Sequence, residues 1–248
     1  MAFATALTAL AGFTDAVGYA ALSHLYLSFM SGNSTHFGMS IAGADGPGVF
    51  LAGAIIFAFV VGAALGTALW DRFPQTQPPL ILGVELTILI WAVTASSFGY
   101  QAAALIPVAG AMGMQNVLHQ VISGADVGKG FITGSLFALG QSFARLARNQ
   151  GYAAVQNAWS WLAFIAGVSS GSLAYSVLGL PCALGAVTAA LATLLILTSW
   201  PTLQIWWRNV PLGHQRGDKC GNAVEGVSDG RRTAARDQYG SEPASGDR

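Results

Sequence analysis

The sequence predicts an all-α integral membrane protein: six transmembrane helices as two inverted three-helix repeats, each with a short re-entrant or interfacial helix. Three observations predict it. The chain of 248 residues is 53% hydrophobic and 9% charged, where a soluble domain carries about 25% charge. Several apolar runs approach or exceed the ~20 residues that cross a bilayer as a helix. Short motifs recur in the same order at offsets of 101 to 105 residues.

Taken in order, the spans fall at about 3–26, 48–70, 79–98, 101–122, 157–179 and 182–201. The first lacks a basic leading region and runs past the length of a signal core, so it reads as a retained span. Segments 29–43 and 131–147 are apolar but short for a crossing. Each opens on a polar, glycine-containing break, "FMSGNST" and "FITGS". They suit re-entrant or interfacial helices: Gly32 and Gly134 permit a turn, and Ser31, Asn33, Ser34, Thr133 and Ser135 can cap the freed N–H groups. Residues 213–248 are rich in Gly, Asp, Arg and Ser and read as a disordered cytoplasmic tail, with Trp206 and Trp207 as an interface anchor before it. The organisation is therefore a first repeat over 1–100, a second over 101–203, and an anchor plus tail over 204–248.

Charge placement sets the orientation. All Lys and Arg residues, namely Arg72, Lys129, Arg145, Arg148, Arg208, Arg216, Lys219, Arg231, Arg232, Arg236 and Arg248, fall on one side if the chain crosses six times. The positive-inside rule makes that side cytoplasmic. The expected location is the cell inner (cytoplasmic) membrane, multi-pass, with both termini cytoplasmic and residues 44–47 and 98–100 outside.

The repeat is read from four matches. "GFTDAV" (12–17) pairs with "GMQNVL" (113–118), "FMSG" (29–32) with "FITG" (131–134), "AFVVGAALGTALW" (58–70) with "AFIAGVSSGSLAY" (163–175), and "PLILG" (79–83) with "PCALG" (181–185). Three spans per half reverse the orientation of the second half, a plan common among secondary transporters. Gly62 and Gly66 in one half, with Gly167 and Gly171 in the other, have the small-residue spacing that lets helices approach closely.

Few residues can carry chemistry. Asp15 lies ~16 Å along the first span at 1.5 Å per residue, near the midplane of a ~30 Å core. Its repeat partner is Asn116. Asp15 can bind a cation or proton, or accept hydrogen bonds from the amides of residues 31–34. Glu85 lies in the third span opposite Val187 in the repeat; it is either a proton-coupling residue or a side chain that snorkels to the cytoplasmic end. Gln115, Asn116 and His119 form a candidate polar patch. The expected substrate site, between the halves, is Asp15, Ser31, Asn33, Thr35, Asn116, Thr133 and Ser135, with Asp15 and Glu85 as proton-coupling candidates.

Cys182 and Cys220 have no metal or disulfide spacing. His24, His36 and His119 have no close ligand spacing. The sequence thus leads to no metal, no cofactor and no catalytic residue. "SGNS" does not match the motif of intramembrane serine hydrolases, and an enzyme is not expected.

The segments "GFTDAVGY", "SFMSGNST" and "GMQN…FITGSL" resemble the YoaK-like family of uncharacterised bacterial multi-span membrane proteins, over about residues 5–200. The family tends to have Thr-Gly-Thr where this chain has Thr133-Gly134-Ser135. The resemblance implies about six spans and brings no substrate. On the residues themselves, the expected function is a small-solute secondary transporter or permease, proton-coupled, and the alternative is a non-transporting membrane scaffold or partner-binding module. Expected partners are the lipid bilayer and a small polar solute or ion, with no nucleic acid; homo-oligomerisation is left open.

Overall fold

Helix follows helix along the described residues, and local breaks separate them. The computed structural model describes residues 2–73, 77–123, 132–144 and 151–199, and all of them belong to one compact unit. The helices are α1 (Ala2–Ala21), α2 (Met30–Ala42), α3 (Gly46–Arg72), α4 (Gln77–Ser97), α5 (Gln101–Ser123), α6 (Ile132–Ala144) and α7 (Gly151–Ser199). The tail, Trp206, Trp207 and every Lys and Arg except Arg72 lie outside the described residues.

Each boundary has a local cause. α1 ends at Ala21, five residues before the expected end of the first span, because Ser23 and His24 take left-handed backbone conformations (φ 47° and 69°). α3 starts on Asp45, whose carboxylate accepts the Gly48 N–H at 3.2 Å, with a proline in its first turn; such caps satisfy an amide that has no helical partner. Arg72 closes α3 at the end where the helix dipole favours a cation. Gly99 turns the chain between α4 and α5 with φ 85°. α7 covers the segment expected at 157–179 and, of the one expected at 182–201, the described part up to Ser199. It begins earlier, at Gly151, and is broken inside at Gly179 (φ 75°, ψ 175°) just ahead of Pro181. That conformation is essentially restricted to glycine.

Pro107 sits inside α5. A helical proline leaves the carbonyl four residues back without its N–H. Here that carbonyl belongs to Ala103, and the indole Nε1 of Trp91 on α4 donates to it at 3.4 Å.

Among the described residues, three helices are long and apolar enough to cross a membrane: Gly46–Arg72, Pro78–Ser97 and Ala154–Ser199. The last has 46 residues, ~69 Å of helix at 1.5 Å per residue, more than twice a ~30 Å hydrocarbon core. Their outer faces are greasy. Phe57, Val60 and Leu65 on α3, Ile90 and Trp91 on α4, and Trp159, Leu173 and Val177 on α7 are exposed. Apolar helices with apolar outer faces suggest a membrane protein, since water would penalise so large an apolar surface.

α1 packs along α7, and α5 along α3; α2 lies on α3, and α6 on α7; α4 touches both α5 and α7. Glycines allow the close approaches. A methyl group at Gly62 would strike the Gly110 carbonyl oxygen, and one at Gly167 the Ala9 carbonyl oxygen. A methyl at Gly113 would strike the Phe59 carbonyl, and one at Gly12 the Phe164 carbonyl. Gly66 lies against Met114 and Gly171 against Phe13. In each pair of contacts the α1 and α5 residues are 101 apart and the α3 and α7 residues 105 apart. Residues at these fixed offsets therefore make equivalent contacts.

Candidate functional site

The chain does something unusual after α1. The Leu22 N–H returns to the Gly18 carbonyl at 2.8 Å and the His24 N–H to Tyr19 at 3.1 Å, closing the turn. The backbone then runs back alongside α1 without helical structure. Leu25 and Leu27 are buried, and Gly18 makes room for Leu27: a Cβ there would stand 2.6 Å from Leu27 Cγ. Buried non-helical backbone needs partners for its N–H and C=O groups, and two side chains supply them.

Asp15, only 2% exposed, accepts the Leu27 N–H at 2.8 Å and the Ser28 N–H at 2.6 Å on Oδ1. Its Oδ2 accepts from the Ser28 hydroxyl at 2.6 Å. Asn33 of α2 is fully buried. Its Oδ1 accepts the Tyr26 N–H at 2.9 Å and its Nδ2 donates to the Tyr26 carbonyl at 2.8 Å. One polar side chain from α1 and one from α2 thus staple residues 26–28 from both ends. Asp15 lies six residues before the end of α1, so the loop descends ~9 Å along it.

α2 then runs antiparallel to α3. Ser40 lies against Gly48, and Phe37 against Gly53. With 13 residues in α2 and 27 in α3, ~20 Å against ~40 Å, α2 begins about halfway along α3. Gly32 was expected to permit the turn. It sits inside α2 instead, where a Cβ would stand 2.7 Å from the Phe29 ring and 2.9 Å from the Tyr26 ring. The glycine makes room for the rings of Tyr26 and Phe29, which meet edge to face at 5.3 Å between centroids. The expected caps also differ: Phe29 takes the cap position of α2 with no side-chain bond. Ser34 and Thr35 donate to carbonyls one turn back, Met30 at 2.8 Å and Ser31 at 3.1 Å.

Beside this staple is a cavity of about 290 Å³. α1 contributes Leu7, Thr8, Ala11 and Asp15 to its wall; the loop contributes Tyr26, Ser28 and Phe29. α5 supplies Met112, Gln115 and Asn116, α6 supplies Ile132 and Thr133, and α7 supplies Phe164. Residues from both the first hundred positions and the following hundred line it. The wall is mostly carbon, with a few polar groups placed among it, which is the usual composition of a small-molecule site.

Of the expected site residues, Asp15, Asn116 and Thr133 come together on this cavity. Asn33 lies next to it but spends its amide on Tyr26. Ser31 and Thr35 are exposed on α2, and Ser135 is buried on α6 away from the cavity wall. Asp15 takes its amides from Leu27 and Ser28 rather than from residues 31–34, because an extended stretch returns along α1 before α2 starts. Tyr26, Ser28 and Thr8 were missed. Ser28 stood in the sequence as the first residue of "SFMSGNST", the one hydroxyl residue directly ahead of the break.

Glu85 does not snorkel. It is 1% exposed on α4, and the Nε2 of Gln115 reaches its Oε2 at 3.5 Å. Its Oε1 has no hydrogen-bond partner among the described residues. The side chain of His119 lies outside the described residues.

No curated protein and no solved structure matches this chain at a significant level. A family model does, over residues 3–197, which includes every site residue described above and all of the helices except the first residue of α1 and the last two of α7. The chain belongs to the family described as "Protein of unknown function (DUF1275)", with which the resemblance to YoaK-like proteins is consistent.

Proposed function

We propose that the chain crosses a bacterial inner membrane six times, as two three-span halves of opposite orientation with both termini cytoplasmic, and serves as a secondary transporter or permease for a small polar solute, coupled to protons. The observation that carries this reading is the cavity. Its wall draws on both repeats, and α2 begins beside it, about halfway along α3. Irregular backbone at membrane depth is tolerated where it is buried in protein or lines a wet cavity. Broken helices meeting near the midplane at a repeat interface are a transporter plan. The equivalent glycine contacts between α1 and α7 and between α5 and α3 support a pseudo-two-fold relation of the halves. The length of α7 and its break at Gly179 support two crossings there.

In this reading α2 and α6 are re-entrant half-helices from opposite faces. Asp15 holds the first of them in place through Leu27 and Ser28. The solute faces Asn116, Gln115, Thr133 and the Ser28 hydroxyl, and the apolar wall excludes bulk water. No side chain is assigned a catalytic role.

The test is a thermal-shift screen of polar solutes on purified protein in lipid nanodiscs, followed by uptake into proteoliposomes. A ligand at a hundred times its dissociation constant stabilises by about 2.7 kcal/mol. The reading expects at least one solute that both stabilises and is taken up, with a proton flux alongside. A protein that is stabilised by none and moves neither solute nor protons contradicts it.

A further inference from the structure

We propose that Glu85 is the proton-carrying side chain of this protein, and that the Gln115 amide transmits its protonation state to the cavity. This rests on the transport reading above and names its coupling device. Three observations carry it. Glu85 is buried between helices, and one of its carboxyl oxygens has no hydrogen-bond partner among the described residues. Gln115, itself 4% exposed, is the polar side chain that reaches the other oxygen. The same Gln115 lines the cavity. One amide therefore touches both the isolated acid and the solute space.

The hydrogen-bond inventory gives the device its two states. An ionised carboxylate only accepts, and a protonated one has an O–H that must donate. With Glu85 ionised, Gln115 turns Nε2 toward it, as observed, and its carbonyl oxygen is left for the cavity. With Glu85 protonated, the new O–H has no acceptor at Oε1, and rotation of the amide brings the Gln115 Oε1 to it. The NH₂ group then faces the cavity. One proton at Glu85 exchanges an acceptor for a donor in the wall. A buried carboxyl that is left half-paired is costly, so each protonation state selects its own amide orientation.

Few titratable residues lie on the helices packed around the pair. α4 packs on α3, α5 and α7. α7 has no Asp, Glu, Lys, Arg or His; its titratable groups are Tyr152, Tyr175 and Cys182. α3 carries Asp71 and Arg72 in its last two residues, and α5 carries His119. Asp15 stands on the cavity that Gln115 also lines, and its own oxygens are occupied by Leu27 and Ser28.

Infrared difference spectroscopy of the full chain in nanodiscs, stepped between acid and alkaline buffer in H₂O and D₂O, tests this without knowing the solute. A carbonyl-stretch band of a buried protonated carboxyl should appear, lost in Glu85→Gln and kept in Asp15→Asn. In Gln115→Leu the band should move to higher frequency, because the carboxyl loses its partner. The wild-type amide bands of Gln115 should change with the same titration midpoint. If no band is lost in Glu85→Gln, or if Gln115→Leu leaves it in place, the proposal is wrong. Solute uptake that persists in proteoliposomes alongside that result would leave the transport reading standing and remove only the coupling device. Gln115→Leu supplies the decisive comparison should Glu85→Gln fail to fold.

Discussion

At the scale of single residues, the staple around residues 26–28 makes the sharpest predictions. Asp15→Asn keeps an oxygen for the Leu27 and Ser28 amides and places an NH₂ against the Ser28 hydroxyl. It should change thermal stability in nanodiscs by no more than about 1 kcal/mol, the net worth of a typical hydrogen bond. Asp15→Leu leaves two backbone N–H groups and a hydroxyl unpaired, at about 1–3 kcal/mol for each buried group left unsatisfied. It should unfold at markedly lower temperature or fail to accumulate. Asn33→Leu strips both backbone groups of Tyr26 of their partners and should cost about 2–6 kcal/mol by the same reasoning. If Asp15→Leu melts with the wild type, the staple carries no stability. Part of the cavity wall was legible: Asp15 and Asn116, singled out together in the sequence, both line it. Ser31 and Thr35 pointed wrongly, because the sequence does not say which face of a short helix turns inward. Ser28 went unread because it precedes the glycine break and looks like the end of a span.

At the scale of helices, the glycines separate into two kinds, and substitution should tell them apart. Gly62 and Gly167 lie directly against carbonyl oxygens of a neighbouring helix. Alanine at either position forces the helices apart, with the 1–3 kcal/mol cost typical of overpacking. As repeat equivalents, the two should lose similar amounts. Gly83 in α4 has nothing within 4 Å of where a Cβ would stand. Gly83→Ala should be neutral or gain about 0.5–1 kcal/mol from helix propensity. Melting curves of the three variants check this; equal effects at Gly83 and Gly62 would contradict the packing. The helix pattern was largely readable, since apolar runs of sufficient length have few alternatives in hydrocarbon. The end of the first span was not. "LSHLYLSF" continues the apolar run, and only the left-handed backbone at Ser23 and His24 reveals that it turns back.

At the scale of the whole molecule, the central claim is that the two halves are related by inversion, so that α2 and α6 enter from opposite faces and meet at one cavity. Four short matches in the sequence suggest the repeat. What the sequence could not give was their consequence in space, namely that α1 pairs with α7 and α5 with α3, each helix packing on the other half. That exchange depends on glycines finding particular carbonyls, which no single-chain pattern encodes. The linkers after α2 and α6 provide the most direct measurement. Ala44 lies in the first and Arg148 in the second. In a background with Cys182 and Cys220 replaced, Ala44→Cys and Arg148→Cys are labelled in sealed, right-side-out vesicles with a membrane-impermeant maleimide, before and after permeabilisation. The account predicts that Ala44→Cys reacts in sealed vesicles and Arg148→Cys only after they are opened. Reaction of both residues from the same side would contradict it.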